Sequence, residues 1–249
     1  MDFQDRVGII TGGASGIGRA VAAGWAARGG MAIVADYDAK RGAQAAADLV
    51  SEGGRATFVE CDLRDGDSII NVVETVSREF GRIDFLHNNG FARWNGPDAA
   101  SFLDGVGDAQ WNHVINVGIT SAFRMARAVL PIMKAQGAGA IVNTSSTAAY
   151  HAEPCISAYA VAKAGISQLT KMIAVEFGAS GIRSNAVCPG VIETPLIEGA
   201  PLDEGFMKGI PMGRLGQPEE IGNVVLFLAS DLASYVNGSI VIVDGGRTV

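Results

Sequence analysis

The sequence is poor in cysteine, in aromatic side chains and in positive charge, and it has no long apolar run. Cys61, Cys155 and Cys188 are its three cysteines, far apart and without a Cys-x-x-Cys pair, which argues against a disulfide framework or a thiolate zinc site. They are expected to be ordinary reduced thiols. His87, His113 and His151 are scattered, and no His, Asp and Glu spacing points to a metal centre. Lys and Arg number 19 against 26 Asp and Glu, a formal charge of -7. That is the wrong sign for a protein that wraps nucleic acid or adheres to anionic lipid. No stretch approaches the roughly 20 apolar residues of a membrane helix, and Met1 to Arg6 lack the basic-then-apolar layout of a signal peptide. A cytoplasmic location is the expectation. Linkers, low-complexity tracts and fixed-period repeats are also missing, so residues 1–249 are expected to form a single domain.

Glycine, in contrast, is abundant: 33 of 249 residues, nearly twice the usual share of about 7%. With 48% hydrophobic and 18% charged residues, the chain is globular, so these glycines belong to ordered structure. The apolar pattern alternates between short runs and stretches of helical period. Val7–Ile10, Met31–Ala35, Ala56–Val59, Ile83–Leu86, Ala140–Val142, Ile182–Val187 and Ile240–Val243 read as seven strands. Between them, Asp67–Phe80 places Ile69, Val72, Val73, Val76 and Phe80 on one helical face. Glu219–Ala229 follows Pro218, which suits a first helical turn. Strands apolar throughout and separated by helices predict a doubly wound α/β fold, a parallel sheet covered on both faces.

Directly after the first strand comes Thr11-Gly12-Gly13-Ala14-Ser15-Gly16-Ile17-Gly18, and the predicted helix Ile17–Arg28 begins inside it. Glycines at such a junction allow the tight turn, the approach of backbone to a pyrophosphate and close helix packing. The helix N-terminus then faces an anion. Eighteen residues beyond Gly18 the second strand runs into Asp36, where a dinucleotide fold sets an acid against the adenosine ribose. A carboxylate accepts from a 2′-OH and repels a 2′-phosphate, so NAD is preferred to NADP. The other reading of Asp36 is the first residue of a turn, Asp36-Tyr37-Asp38. Arg41, further along, is a nearby cation that could meet a phosphate, but the carboxylate comes first.

With these features in place, the whole chain resembles the short-chain dehydrogenase/reductase family. The resemblance rests on an ordered set of motifs. Gly12, Gly16 and Gly18 hold the spacing Thr-Gly-x-x-x-Gly-x-Gly, with Ser15 and Ile17 between them. Cys61-Asp62-Leu63 matches the acid after the third strand, and Asn88-Asn89-Gly90 follows the fourth. Asn143-Thr144-Ser145-Ser146 follows the fifth, and Tyr159-x-x-x-Lys163 comes thirteen residues after Ser146. Pro189-Gly190-Val191-Ile192-Glu193-Thr194 follows the sixth, and Val243-Asp244-Gly245-Gly246 ends the pattern. The resemblance implies a Rossmann-type, seven-stranded sheet with catalytic Ser146, Tyr159 and Lys163. It implies a nicotinamide cofactor held by Gly12, Ser15, Gly16, Ile17, Gly18, Asp36, Tyr37, Asp62, Leu63, Asn88, Asn89, Gly90, Tyr159, Lys163, Pro189, Gly190, Ile192 and Thr194. It further implies a homo-oligomer, commonly a tetramer built through the two long helices and the C-terminal segment.

The chemistry of these residue types agrees. Tyr159 and Lys163 are four apart on a helical stretch and share a face. A free phenol has a pKa near 10, and an adjacent ammonium together with oxidised nicotinamide favours the phenolate. Tyr159 is then the general acid/base, Lys163 lowers its pKa and holds the nicotinamide ribose, and Ser146 supplies a hydroxyl to a carbonyl or alkoxide. Hydride would pass between the substrate carbon and the nicotinamide.

Two departures stand out. The family places a catalytic Asn seven residues after a Trp; counting from Trp111 reaches Gly118. In the family that Asn supports a helix distortion whose carbonyl holds a relay water. Asn116 points about 200° away on a helix and does not substitute. Glycine keeps the carbonyl and accepts distorted backbone, so a slower enzyme, a side chain borrowed from elsewhere and a water in the vacated space are the alternatives. The second departure is Gly90-Phe91 where Ala-Gly is usual, with Phe91 directed at cofactor or substrate, or into a core.

The substrate pocket is expected to draw on Thr147–Ala158, on Phe91, Arg93 and Trp94, and on a lid at Pro195–Pro211. His151 is read as lining, beside Glu153 and Cys155. A small or medium secondary alcohol, cyclic in one version, fits such a lining. Three functions follow: an NAD-dependent secondary alcohol dehydrogenase or ketone reductase, a 3-oxoacyl thioester reductase using NADPH, and a noncatalytic NAD-binding sensor or scaffold.

Overall fold

The strand that feeds the glycine loop lies inside the sheet, beside its central strand. In the computed structural model, which describes residues 1–91, 94, 96, 99, 101–198 and 204–249, the strands are β1 (Val7–Thr11), β2 (Met31–Asp36), β3 (Arg55–Glu60), β4 (Phe85–Asn88), β5 (Gly139–Thr144), β6 (Ile182–Pro189) and β7 (Ile240–Val243). They form one parallel sheet in the order β3-β2-β1-β4-β5-β6-β7. The winding reverses between β1 and β4, and the crevice outside the carboxyl ends at such a switch point is where open α/β sheets bind ligands.

Helices α1 (Gly16–Ala26), α2 (Ala39–Ser51), α3 (Gly66–Phe80), α4 (Asp108–Ile115), α5 (Ser121–Gln136), α6 (Ser157–Phe177), α7 (Glu204–Lys208) and α8 (Pro218–Ala229) complete the architecture. On one face α1 and α8 cover a core centred on Trp25, whose ring is stacked between Phe3 at 4.0 Å and Phe85 at 4.7 Å. On the other face Ile69, Val72, Val73 and Val76 of α3 meet Met125, Val129 and Met133 of α5. The helix ends are set by sequence: Asp65 caps α3 by accepting from the Asp67 amide at 3.0 Å, and Gly81 stops it in the left-handed region at φ +70°. Gln217 and Glu220 form a capping box on α8, with Pro218 in its first turn.

Six of the seven strands lie where the apolar runs put them, β7 with the same bounds and five others extended at one or both ends. The extension brings in Thr11, Asp36, Glu60, Thr144 and Pro189, because the parallel ladder continues past the last apolar residue into the crevice. The fourth strand begins two residues later than the expected Ile83. The Ile83 amide donates to the Gln136 side chain at 2.9 Å, and the Asp84 carboxylate accepts from Val7 and Arg82. Pairing with β1 accordingly starts at Phe85.

Candidate active site

The carboxyl ends of β1, β2, β4, β5 and β6 bring the motif residues to one rim. At the β1–α1 turn, Gly12 has φ +64° and a side chain there would press on the Gly90 backbone at 2.9 Å. A side chain at Gly18 would collide with the Gly12 carbonyl. The loop thus needs glycine for backbone reasons, and the surface it exposes at a helix N-terminus suits a pyrophosphate. Thr194 closes the far side: its methyl lies 3.1 Å from where a Gly16 Cβ would stand.

Asp36 ends β2 nearly buried, accepting from the Ala14 amide and the Asp38 amide, each at 3.2 Å. The turn reading of this residue is seen directly in the Asp38 contact, and its carboxylate also lies against the glycine loop. Arg41 is paired with Asp38 at 2.6 Å. Tyr37 is largely exposed beside them. Asp62 begins the segment after β3, held by Arg64 at 2.6 Å, which lowers its pKa. Leu63 reaches over Gly90, where an added methyl would lie 2.5 Å from its Cδ1.

Asn88 and Asn89 divide their work. The Asn88 amide is buried, donating to Asn143 at 2.8 Å and to the Ala122 carbonyl at 3.3 Å, so it ties β4 to β5 and α5. Asn89 donates to the Thr11 carbonyl at 3.1 Å and sits under the glycine loop. After β6, Gly190 packs on Asp244 so closely that a Cβ would lie at 2.9 Å, and Ile192 bridges to Gly216. Pro189 to Thr194 thereby face the same crevice as Gly16.

Ser146, Tyr159 and Lys163 come together beyond β5. Ser146 is buried and accepts from the Ala148 amide at 3.2 Å. Tyr159 and Lys163 lie one turn apart on α6, the Lys163 Nζ 5.6 Å above the Tyr159 ring. Burial raises the Tyr159 pKa above its ordinary value, opposed by a hydrogen bond with the Ser146 side chain. Burial also pulls Lys163 down to about 8, and its Nζ donates to the Thr144 carbonyl at 2.7 Å. With the phenol desolvated in this way, the phenolate depends on positive charge beside it, the role expected of the ammonium together with oxidised nicotinamide.

At the Gly118 position the helix does distort. Asn116–Thr120 form one π turn between α4 and α5, with the Ser121 hydroxyl donating to the Val117 carbonyl at 2.6 Å. Asn116 points away as the spacing predicts, donating to the Arg64 carbonyl at 3.1 Å. Gly118 is packed against α6: a Cβ there would be 2.9 Å from the Ala162 Cβ and 4.0 Å from Phe91 Cε2. The distortion therefore does not require an asparagine side chain.

The sequence alone does not single out Thr11, Thr144, His87 or Arg247. The Thr11 hydroxyl accepts from the Asn89 and Gly90 amides at 2.9 and 3.0 Å and donates to the His87 carbonyl, which clips the glycine loop to β4. His87 is fully buried against Thr144 at 2.9 Å, its pKa pushed down to about 3 by desolvation and by Lys163. Arg247 pairs with Glu153 at 3.0 Å and lies 4.1 Å over the Phe206 ring of α7, so it joins the C-terminus, the loop before α6 and the lid segment. Thr11 and Thr144 stand inside motifs that give them no role of their own, and each of the four acts across distant parts of the chain.

On the substrate side, Phe91, Trp94, Trp111, Ile115 and Tyr159 pack on Val114, Ala158 and Ala162 as an apolar wall. His151 is exposed, and Trp94 lies 5.4 Å from the His113 ring. Arg93 and residues 199–203 of the expected lid lie outside the described residues. Among the described residues no three His, Cys, Asp or Glu side chains group as a metal site, and no helix is long and apolar enough to cross a membrane.

Residues 12–248 match a family model described as enoyl-(acyl carrier protein) reductase. The chain is 41% identical to cis-4-hydroxycyclohexanecarboxylate dehydrogenase of Sinomonas cyclohexanicum, over 99% of this chain and 98% of that one. It is 38% identical to a 3-oxoacyl-(acyl-carrier-protein) reductase of Thermotoga maritima over the whole of both. Among solved structures, a 7α-hydroxysteroid dehydrogenase complexed with NADH and 7-oxo glycochenodeoxycholic acid superposes with a TM-score of 0.92 at 29% identity, covering 98% of this chain and 95% of that one. With the glycine loop, the Ser146, Tyr159 and Lys163 cluster and the switch-point crevice in one frame, the chain belongs to the short-chain dehydrogenase/reductase family, oxidoreductases that bind nicotinamide cofactors and act on alcohol and ketone groups.

Proposed function

We propose that the chain is an NAD-dependent dehydrogenase of secondary alcohols, working in reverse as a ketone reductase. The observation that carries this is the joint placement of Ser146, Tyr159 and Lys163 beside a crevice whose ribose end is lined by Asp36. Bound nicotinamide supplies the hydride acceptor for alcohol oxidation and the hydride donor for ketone reduction. Tyr159 takes the hydroxyl proton, and Ser146 donates to the alkoxide as its charge develops. Lys163 holds positive charge beneath the phenol. The wall of Phe91, Trp94 and Trp111 excludes water from the reacting carbon.

NAD rather than NADP is supported by the Asp36 carboxylate and by Arg41, which is committed to Asp38. The aromatic wall fits a cyclic alcohol, the kind of compound that the Sinomonas relative's name describes. A 3-oxoacyl thioester reductase is the second reading, favoured by the Thermotoga relative and opposed by Asp36. The cofactor contacts assigned to Gly12, Ser15, Gly16, Ile17, Gly18, Tyr37, Asp62, Leu63, Asn89, Gly90, Pro189, Gly190, Ile192 and Thr194 are part of the same proposal. Asn88 enters it as a support of Asn143.

A cytoplasmic homotetramer completes the reading. Exposed Phe123, Met172 and Val175 on α5 and α6 give that face apolar area for another copy, and light scattering that finds a monomer would contradict it. The enzymatic reading is tested by a panel of cyclic and acyclic secondary alcohols with NAD and with NADP. NAD reduction by a cyclic alcohol supports it; tight NAD binding without turnover of any alcohol supports the noncatalytic sensor instead.

A further inference from the structure

Phe91 lines the apolar wall, and its ring also touches both members of the Tyr159 and Lys163 pair. Its ring lies 5.1 Å from the Tyr159 ring at an interplanar angle of 72°, an edge-to-face pair. The same ring has the Lys163 Nζ 5.5 Å from its centroid, within the range of a cation–π contact. Lys163 is buried, with the Thr144 carbonyl as its hydrogen-bond acceptor. Across the cleft, the Phe91 ring edge ends 4.0 Å from where a Gly118 Cβ would be, a place already closed to side chains by Ala162 at 2.9 Å.

We propose that Phe91 is a positioning residue that holds Lys163 and Tyr159 through its ring. An aromatic face attracts an ammonium without offering it a proton, and an aromatic edge fixes a second ring without competing for its hydroxyl. The inference rests on Tyr159 and Lys163 being the acid/base pair of the proposed reaction. The charged and titratable groups facing that pair are His87 from β4, Cys188 from β6 and Glu153 from the loop before α6. His87 stays neutral above a pKa of about 3, and the Cys188 thiol is pushed up to about 12. Neither changes charge near pH 8, and the groups in contact with the ammonium are the Thr144 carbonyl and the faces of the Phe91 and Tyr159 rings.

The test reads Lys163 directly, by NMR titration of protein labelled with 13C at lysine Cε, the signal being assigned by its loss in Lys163→Met. Phe91→Leu keeps apolar bulk and removes the ring face. The Lys163 titration is expected to fall by about half a unit to one unit, the equivalent of a modest cation–π contact, and Phe91→Tyr is expected to restore it. With an alcohol that the wild type oxidises, Phe91→Leu should lower kcat roughly tenfold while NAD affinity stays within about twofold. If Phe91→Leu does not fold, Phe91→Met, also without a ring, carries the same comparison. An unchanged Lys163 titration in the folded ring-less variant overturns the proposal, as does a variant whose main defect is weaker NAD binding. Failure of the wild type to oxidise any alcohol would count against the proposed function, and the titration, which needs no substrate, would still decide the role of Phe91.

Discussion

The proposed cofactor half of the crevice and the proposed catalytic wall are built by different means. In the cofactor half, position is set by backbone meeting backbone: Gly12 against Gly90, Gly18 against the Gly12 carbonyl, Gly190 against Asp244. Small side chains such as Thr11 and Asn89 then clip adjacent strand ends together. The catalytic wall is built by side chains that converge from separate elements: Phe91 after β4, Gly118 in the π turn, Tyr159, Ala162 and Lys163 on α6. A backbone cradle admits glycine and little else, which leaves a short, fixed sequence signature. A wall of packed side chains drawn from separate elements leaves no such local signature.

That difference can be broken or sharpened by mutation. The largest effect is expected in the wall: Tyr159→Phe should lower turnover by roughly 10³-fold with NAD affinity nearly unchanged, as measured by steady-state kinetics and by fluorescence titration. Equal losses in both would show that the two halves are not separable. In the cofactor half, Asp36→Ala removes the carboxylate that faces the glycine loop. It should shift the NAD-to-NADP ratio of kcat/KM toward NADP by about 10- to 100-fold, the worth of a charge-assisted hydrogen bond, with kcat for NAD little altered. A wild type that already prefers NADP would refute the assignment of Asp36. The smallest effect belongs to the clasp at the lid. Arg247→Ala frees Glu153 and Phe206, and since partly exposed ion pairs contribute about 0–1 kcal/mol, KM for the alcohol should rise only a few-fold with kcat held.

The same division explains what was legible in the sequence. The strands declared themselves because parallel strands buried on both faces are apolar throughout, as in Ile182–Val187, and the glycine loop did so because its spacing is local. The start of β4 did not, since it is fixed by Gln136 from the end of α5, far along the chain. Ser146, Tyr159 and Lys163 were readable as types at a spacing, but the direction of the Tyr159 pKa was not, because it depends on how deeply α6 and β5 bury the pair. The role of Phe91 was equally hidden. Its ring meets Tyr159 and Lys163 of α6, 68 and 72 residues further along the chain.

The central claim is that this wall, with glycine in place of asparagine, still transfers a proton in step with hydride transfer to NAD. The direct measurement is the nicotinamide absorbance change when the purified protein is mixed with NAD and a cyclic secondary alcohol, beside the same assay with Tyr159→Phe and with NADP. The account predicts NADH formation by the wild type, its near abolition in the variant and a weaker response with NADP. NAD bound tightly with no alcohol oxidised, or equal rates in the Tyr159→Phe variant, would contradict it.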